Sequence, residues 1–373
     1  MKIALVHDGI YCRAGGERVL LNFHNAFPDA PIYTAMYAPE DTFPEFKKCD
    51  IRTTWFQKIA SNEVQYKKYY YPFCIWAMKS LDLSEYDVLL MTTTHCAKYV
   101  KASSRTLVVA YCFTPFRLAW NPESYTLYSN SKGVKRIALN MLIDRLKTID
   151  YRKAQRPDRY IAMTQETRNR LIAAYDIRSD IDIINPPINV NKYRLSANPQ
   201  NYYLVVSRLE KYKKVDLVIE AFNKLGYELK IIGRGTEKEH LKRIAHSNIT
   251  FIEGISDFEL AEYYSNCKAF IFPQFEDYGL TPLEAIASGR PVIAYNKGGV
   301  LETMLPYEHP EKPFTAVFFD EQTVDSLMNA VHKLENLKYD TSFIRNHSEK
   351  FHDTLFEERI KEYIVALYNE RSK

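Results

Sequence analysis

A chain of 373 residues with 46% hydrophobic and 26% charged residues is too long for one doubly wound domain and too apolar to be disordered or fibrous. No segment approaches the ~20 uninterrupted apolar residues of a membrane span. The formal charge of +4 is small but unevenly placed, with 26 Lys+Arg against 19 Asp+Glu in residues 1–186 and 24 against 27 in the remainder. Between Lys98 and Arg170 there are 15 basic and 5 acidic residues. A basic first half fits either an anionic partner, such as a phosphorylated acceptor or a membrane surface, or a solvated helical face.

The chain opens on an apolar run, Ile3 to His7, which passes straight into Asp8-Gly9 and reads as a buried first strand rather than a signal peptide. The cysteines, Cys12, Cys49, Cys74, Cys96, Cys112 and Cys267, form no C-x-x-C pair. They are expected to be reduced, mostly buried thiols in a cytoplasmic protein, and no metal or structural zinc site is expected. Gly15-Gly16 then precedes a helix over 17–27 that places Val19, Leu20, Phe23, Ala26 and Phe27 on one side. Its backbone N–H groups can approach a phosphate; otherwise it is a plain turn. Segment 65–81 is aromatic and basic (Tyr66, Lys67, Lys68, Tyr69, Tyr70, Tyr71, Phe73, Ile75, Trp76, Met78). It reads as an amphipathic element at a membrane interface or as a buried helix kinked at Pro72.

Strands are predicted at 2–7, 31–37, 87–93, 107–111, 159–163 and 182–185, most of them continuous apolar runs of the kind covered on both faces. His95 follows the third of these. It could hydrogen-bond a sugar or tune a proton, although a lone histidine is more often structural. Asn185-Pro186-Pro187-Ile188-Asn189 is the candidate linker, since two prolines continue neither a helix nor a central strand.

Six more strands are predicted at 202–206, 229–232, 250–253, 269–272, 292–295 and 316–319. After the first comes Ser207-Arg208-Leu209-Glu210-Lys211-Tyr212-Lys213-Lys214, either a basic surface loop or a pair of fixed cations for a leaving diphosphate. Gly233-Arg234-Gly235 after the second strand has Lys238 where a dinucleotide fingerprint needs a third glycine, and Glu253 lies twenty residues on. The pattern is incomplete, and Thr236 with Glu239 looks like a capping box. Phe272 closes another strand. A loop with Glu276, Asp277, Tyr278, Gly279 and Leu280 follows, and a helix is expected near Pro282. Thr281-Pro282-Leu283-Glu284 has the form of a capping box with proline at the first helical position. The functional reading puts Glu276 and Glu284, eight positions apart, at one sheet edge, where they could accept from the sugar and ribose hydroxyls of a sugar nucleotide. The tail over 342–368 reads as helix.

Together these residues resemble glycosyltransferase family 4, retaining enzymes of the GT-B fold. The resemblance covers essentially the whole chain. It implies an α/β protein of two doubly wound Rossmann-like domains facing a cleft: an acceptor-binding domain over 1–186, a nucleotide-sugar domain over 187–345, and a C-terminal helix over 346–373 that packs back on the first domain. Glu276 and Glu284 match the family's E-x7-E motif, with Glu276 at the donor sugar and Glu284 at the ribose, which displaces the capping reading. Arg208 and Lys213 match the pair that binds the donor diphosphate, Gly15 and Gly16 the glycine loop by the phosphates, and His95 the histidine near the donor sugar. Gly233, Gly279 and Leu280 are expected on the nucleotide side.

A narrower likeness, carried by His7-Asp8, Gly15 to Leu20, Tyr111 to Arg117, Trp120, Gly289 to Tyr295 and Gly298-Gly299, is to bacterial mannosyltransferases of O-antigen, capsule and exopolysaccharide assembly. It implies GDP-mannose as donor, a polyprenyl-diphosphate-linked acceptor at the inner membrane face, and no metal or other cofactor. Lys214 departs from the glycine common there, Thr236 from a proline, and Asn189 from an aspartate. The rivals are a nucleotide-sugar epimerase or hydrolase on the same fold, and a non-catalytic nucleotide-sugar-binding subunit. The broken glycine fingerprint disfavours an NAD-dependent oxidoreductase.

Overall fold

The structure, a computed structural model, describes residues 1–177 and 181–371; the side chains of residues 63, 67–72, 124, 126 and 127 lie outside that description. The chain divides into two units, Met1–Pro186 with Phe356–Lys373, and Pro187–Leu355.

The first unit is built on seven parallel strands, β1 (Ile3–His7), β2 (Ile32–Thr34), β3 (Ile51–Thr53), β4 (Val88–Thr93), β5 (Leu107–Cys112), β6 (Arg159–Ala162) and β7 (Ile181–Ile183). Their order across the sheet is β3-β2-β1-β4-β5-β6-β7. β4 and β5 are buried at every position, as a sheet covered on both faces requires. The sequence reading lacked β3. It has three residues, exposes Arg52 and sits at the edge, so it carries no apolar run to mark it.

The first helix, Gly15–Ala26, buries Val19, Leu20, Phe23 and Ala26 on one stripe. It begins at Gly15, two residues before the expected start, so the two glycines form its first turn rather than precede it. Of aromatic segment 65–81, residues 65–79 fall within the helix Glu63–Lys79, of which Tyr66, Cys74, Ile75, Ala77 and Met78 are buried. The side chains of residues 67–72, which include five of the ten residues named for the membrane expectation, lie outside the description.

The tail is two helices rather than one, Thr341–Ser348 and Asp353–Arg371. Between them the backbone is drawn out so that His352 pairs with Ile188 in a β-bridge, and Phe351 accepts from the Ile188 N–H at 2.9 Å. The last helix then buries Phe356, Ile360 and Ile364, spaced four apart, in the same apolar cluster as Leu5, Val19 and Phe23 of the first unit. The Phe23 and Phe356 rings stack with centroids 5.9 Å apart.

The second unit has six parallel strands, β8 (Tyr202–Val206), β9 (Glu228–Ile232), β10 (Ile249–Ile252), β11 (Ala269–Phe272), β12 (Val292–Tyr295) and β13 (Ala316–Phe319). Their order is β10-β9-β8-β11-β12-β13. Each sheet is therefore doubly wound, and its order reverses at one point: between β1 and β4 in the first unit, between β8 and β11 in the second. In such sheets the loops leaving the carboxyl ends of the two strands at the reversal part to opposite faces and leave a crevice for ligands.

A surface cavity of about 650 Å3 in the first unit is lined by Met1, Ile3, Pro31, Arg52 and Asp87. These residues start β1 to β4, so the cavity lies at the amino edge, opposite the edge where this topology places ligands.

Candidate functional site

In the second unit the loop leaving β8 carries both predicted cations. Its backbone is held by the loop leaving β9: Ser207 N–H donates to the Ile232 carbonyl at 3.0 Å, Leu209 N–H to Arg234 at 3.0 Å, and Glu237 N–H to Leu209 at 2.9 Å. Gly233 makes this approach feasible. A Cβ built there would stand 1.8 Å from the Ser207 carbonyl oxygen, so no other residue fits without moving backbone. Thr236 does not cap a helix. Its hydroxyl donates to Glu210 at 2.7 Å, and the helix Lys238–Ile244 begins after it with no side-chain cap, which corrects the Thr236–Glu239 expectation.

The chain then makes a short turn, Lys211–Lys213, and Lys214 adopts the left-handed conformation (φ 54°) before the helix Val215–Leu225. That conformation explains why glycine is the common residue at this place, and lysine carries the strain instead. The turn directs Lys213 inward. Its side chain is buried, and its ammonium forms an ion pair with the Glu276 carboxylate from the loop after β11. Arg208 is exposed, and one of its terminal nitrogens donates to the Tyr212 hydroxyl at 2.6 Å. The Tyr212 ring lies within 6 Å of both cations, at 5.9 Å from the guanidinium carbon and 5.2 Å from the Lys213 ammonium.

The loop after β11 is held from behind by the turn after β12. Gly299 N–H donates to the Glu276 carbonyl at 2.9 Å, and a Cβ on Gly298 (φ 89°) would meet that same oxygen at 2.4 Å. Gly279 and Leu280 start the helix Leu280–Ala287, with Gly279 in the cap position and no side-chain cap. The expected Thr281–Glu284 capping box is therefore absent. The helix begins one residue before Thr281, Pro282 falls in the first turn where its missing N–H costs nothing, and Glu284 sits in the second turn rather than the first. The Glu284 carboxylate faces the buried Tyr264, whose hydroxyl is pushed well up by burial and, second, by that carboxylate.

At the carboxyl edge of the first sheet the organising group is Asp8, directly after β1. Its carboxylate accepts from Thr94 N–H at 2.7 Å, Thr94 hydroxyl at 3.0 Å, His95 N–H at 2.9 Å, Ala97 N–H at 2.6 Å and Thr93 hydroxyl at 3.2 Å. Burial alone would raise its pKa. The neighbouring His7 and His95 rings and the Thr94 and Ala97 N–H groups outweigh burial and hold it below the ordinary value. His95 is 1% exposed, with its ring centroid 4.2 Å from that of Phe116. Burial pushes it down to about 3 against the opposing pull of Asp8, so the imidazole is neutral at pH 7. Gly15 and Gly16 stand half-buried at the start of their helix, and a Cβ on Gly16 would meet the Phe113 ring at 3.3 Å.

All six cysteines are free thiols. Cys74, Cys96 and His95 bring potential ligand atoms within 4.8 Å of one another, a grouping the spacing in the sequence did not announce. The two sulfurs lie 3.4 Å apart, and Cys96 also reaches the Asp8 carbonyl at 3.5 Å. Burial, followed by the Cys74 thiol, raises Cys96 well above its ordinary value, so it packs as a neutral thiol.

Of the predicted residues, the second unit brings Arg208 and Lys213 onto one tyrosine and Lys213 onto Glu276, and it sets Gly233 and Gly279 in the loops that hold them. Tyr212, Glu210 and Asp8 were not among the predicted site residues. Tyr212 and Glu210 lie within the cationic stretch itself. Asp8 was visible as the first polar residue past β1, but its partners lie 85 to 89 positions away.

Comparison with known proteins supplies what geometry cannot. Residues 191–350 match the family described as Glycosyl transferases group 1. The chain is 28% identical over 200 residues to a GDP-mannose-dependent alpha-(1-6)-phosphatidylinositol monomannoside mannosyltransferase of Mycobacterium tuberculosis (strain ATCC 25618 / H37Rv), covering 45% of this chain and 50% of that protein. It is 27% identical over 172 residues to the serotype-specific mannosyltransferase WbdA of Escherichia coli, covering 38% and 21%. These alignments span about half or less of the relatives' own length. Among solved structures, HepE from Anabaena in complex with UDP superposes with a TM-score of 0.70 at 16% identity, covering 98% of this chain and 100% of that one. At that identity the likeness speaks for the fold. Residues 191–350 are thus similar to the group 1 glycosyl transferases, and the doubly wound sheets of seven and six strands match the GT-B-like fold of the solved structures.

Proposed function

We propose that the protein is a retaining glycosyltransferase that moves a hexose from a nucleotide-sugar to a polysaccharide or lipid-linked oligosaccharide acceptor, with mannose from GDP-mannose the favoured donor. The observation that carries the reading is the buried Lys213 ammonium paired with Glu276 beside Arg208, where the second sheet's order reverses. A departing nucleoside diphosphate gains negative charge as the glycosidic bond breaks, and fixed cations oriented beforehand stabilise that charge. The donor phosphate takes the place of Glu276 as partner of Lys213. Glu276 is then free to accept a hydrogen bond from a sugar hydroxyl, and Glu284 serves the ribose.

The acceptor hydroxyl attacks the anomeric carbon on the face the diphosphate leaves, and its proton passes to a phosphate oxygen, which retains configuration. Positive charge comes from side chains rather than a metal. Gly15 and Gly16 offer backbone N–H groups to phosphate, and the neutral His95 ring suits a hydrogen bond to a sugar hydroxyl. The names of the Mycobacterium and Escherichia relatives favour a mannosyl donor, while the HepE structures contain UDP and UDP-glucose. The basic first unit fits a polyprenyl-diphosphate-linked acceptor, and six free thiols fit the cytoplasm.

A thermal-shift screen of GDP, UDP and ADP with their sugar conjugates tests the donor, since a ligand that binds only the folded state raises its stability. Stabilisation by GDP and GDP-mannose, followed by mannose transfer to an added acceptor, is the expected result. Sugar release without acceptor would make the protein a hydrolase, binding without chemistry a carrier subunit, and no shift with any nucleotide would remove the reading.

A further inference from the structure

Glu284 is half-buried in the helix Leu280–Ala287, so its carboxylate has a solvent side and an inner side. On the inner side lies Tyr264, near the end of the helix Asp257–Asn266. Tyr264 is fully buried, and its ring packs against Tyr193 and Phe270 with centroids 5.8 and 5.5 Å away. Its hydroxyl lacks a hydrogen bond of normal geometry among the described residues, and the charge that acts on it most strongly is the Glu284 carboxylate. Phenylalanine would fill the same space without enclosing a polar group. The hydroxyl is therefore a cost to packing, and an ionised carboxylate is the kind of acceptor that offsets it.

The approach of the two side chains is fixed by the buried Arg290. Its backbone N–H donates to the Ala285 carbonyl at 3.0 Å, and its Nε donates to the Ser265 carbonyl at 2.8 Å. Ala285 and Ser265 are the chain neighbours of Glu284 and Tyr264, so one residue sets the two helices in register at this pair. On the other side of Tyr264, the Tyr263 carbonyl accepts from the Tyr202 hydroxyl at 2.8 Å. The last turn of a helix leaves its carbonyls open, and here side chains hold two of them. Tyr264 is thus pinned from both sides. Glu284 has a long side chain, and ordering it costs entropy whenever a ligand binds.

We infer that Tyr264 is a positioning residue, whose enclosed hydroxyl donates to the inner oxygen of Glu284 and leaves the outer oxygen aimed at the ribose, so that the site selects ribonucleoside over deoxyribonucleoside diphosphates. The inference rests on the proposed place of Glu284 at the ribose and assigns what orients it. Burial and, second, the Glu284 charge keep the tyrosine protonated, which makes it a donor. A carboxylate held on one side meets the ribose diol with its outer lone pairs already aligned. Removing a hydroxyl from that diol leaves a desolvated acceptor unpaired, and this is what makes such a site reject the deoxy analogue.

Isothermal titration of the full chain with GDP, 2′-deoxy-GDP and 3′-deoxy-GDP tests it, with the uridine and adenosine series in parallel. The wild type is expected to bind a deoxy analogue about tenfold more weakly than its ribonucleotide. Tyr264→Phe is expected to shrink that ratio to about twofold, with a melting temperature at or above wild type. In a Glu284→Ala background, adding Tyr264→Phe is expected to leave the ratio unchanged, as required of a residue that acts through the carboxylate. An undiminished ratio in Tyr264→Phe overturns the inference. So does an equal weakening of ribo- and deoxyribonucleotides, or a sharp fall in melting temperature, either of which would make Tyr264 a packing residue. Nucleotide binding by the wild type without ribose preference removes Glu284 from the ribose and the inference with it. Failure of the wild type to bind any of the three diphosphates is the separate result that removes the transferase reading itself.

Discussion

The carboxyl edges of the two sheets occupy equivalent places in the topology and hold opposite kinds of charge. In the first unit the Asp8 carboxylate is buried and accepts five hydrogen bonds from Thr93, Thr94, His95 and Ala97. In the second, the buried Lys213 ammonium meets the carboxylate of Glu276, which is still partly exposed. A carboxylate saturated by backbone N–H and hydroxyl donors fixes the shape of a loop and has no capacity left for a ligand. An ion pair with one member facing solvent can exchange partners when a more highly charged anion arrives. At the first crevice Asp8 is thus a structural knot, whereas at the second the proposed chemistry falls to an exchangeable ion pair.

Breaking the knot should have the largest effect. Asp8→Ala leaves several buried donors without acceptors, and the first unit is expected to lose about 3–5 kcal/mol in denaturant unfolding. A change below 1 kcal/mol would mean that the Asp8 hydrogen bonds do not organise this edge. Next in size, Gly233→Ala forces a Cβ onto the Ser207 carbonyl, and a cost of about 1–3 kcal/mol is expected in the second unit. Unaltered stability would show that the two loops are not in the contact described.

The third effect depends on pH. His95 is depressed to about 3 in the folded protein, whereas the unfolded chain takes up its proton near 6.5. Between these values the unfolded state binds one proton more, so this contribution is complete above about pH 6.5 and is lost as pH falls toward 3, by up to ~1.4 kcal/mol per pH unit. His95→Gln should flatten that slope relative to wild type in melts run across the acidic range. Parallel slopes would contradict a buried neutral imidazole. The smallest effect is a gain. Lys214→Gly relieves a left-handed lysine and should stabilise the second unit by up to about 1 kcal/mol; a loss of stability would show that the lysine side chain contributes contacts worth more than the strain.

Much of the architecture could be read from the sequence because parallel strands buried on both faces leave continuous apolar runs. β4, β5, β8 and β11 are of this kind. β3 left no such trace, having three residues and an exposed Arg52 at a sheet edge. Strand order was not readable either, since a run of apolar residues does not say which neighbour it pairs with. In the candidate site the residue types could be recognised but their partners could not. Lys213 and Glu276 lie 63 positions apart, and only the reversal of order between β8 and β11 brings their loops together. The capping patterns at Thr281 and Thr236 show the opposite failure. The spacing is right, but the helix start is set by tertiary contacts, and Thr236 bonds Glu210 instead.

The most direct test of the central claim is the turnover of Lys213→Ala, measured with the donor that the nucleotide screen selects and set beside its melting temperature. The account predicts a fall in kcat of about 10²–10³ with a melting temperature close to wild type. Wild-type turnover in a folded Lys213→Ala protein would contradict it.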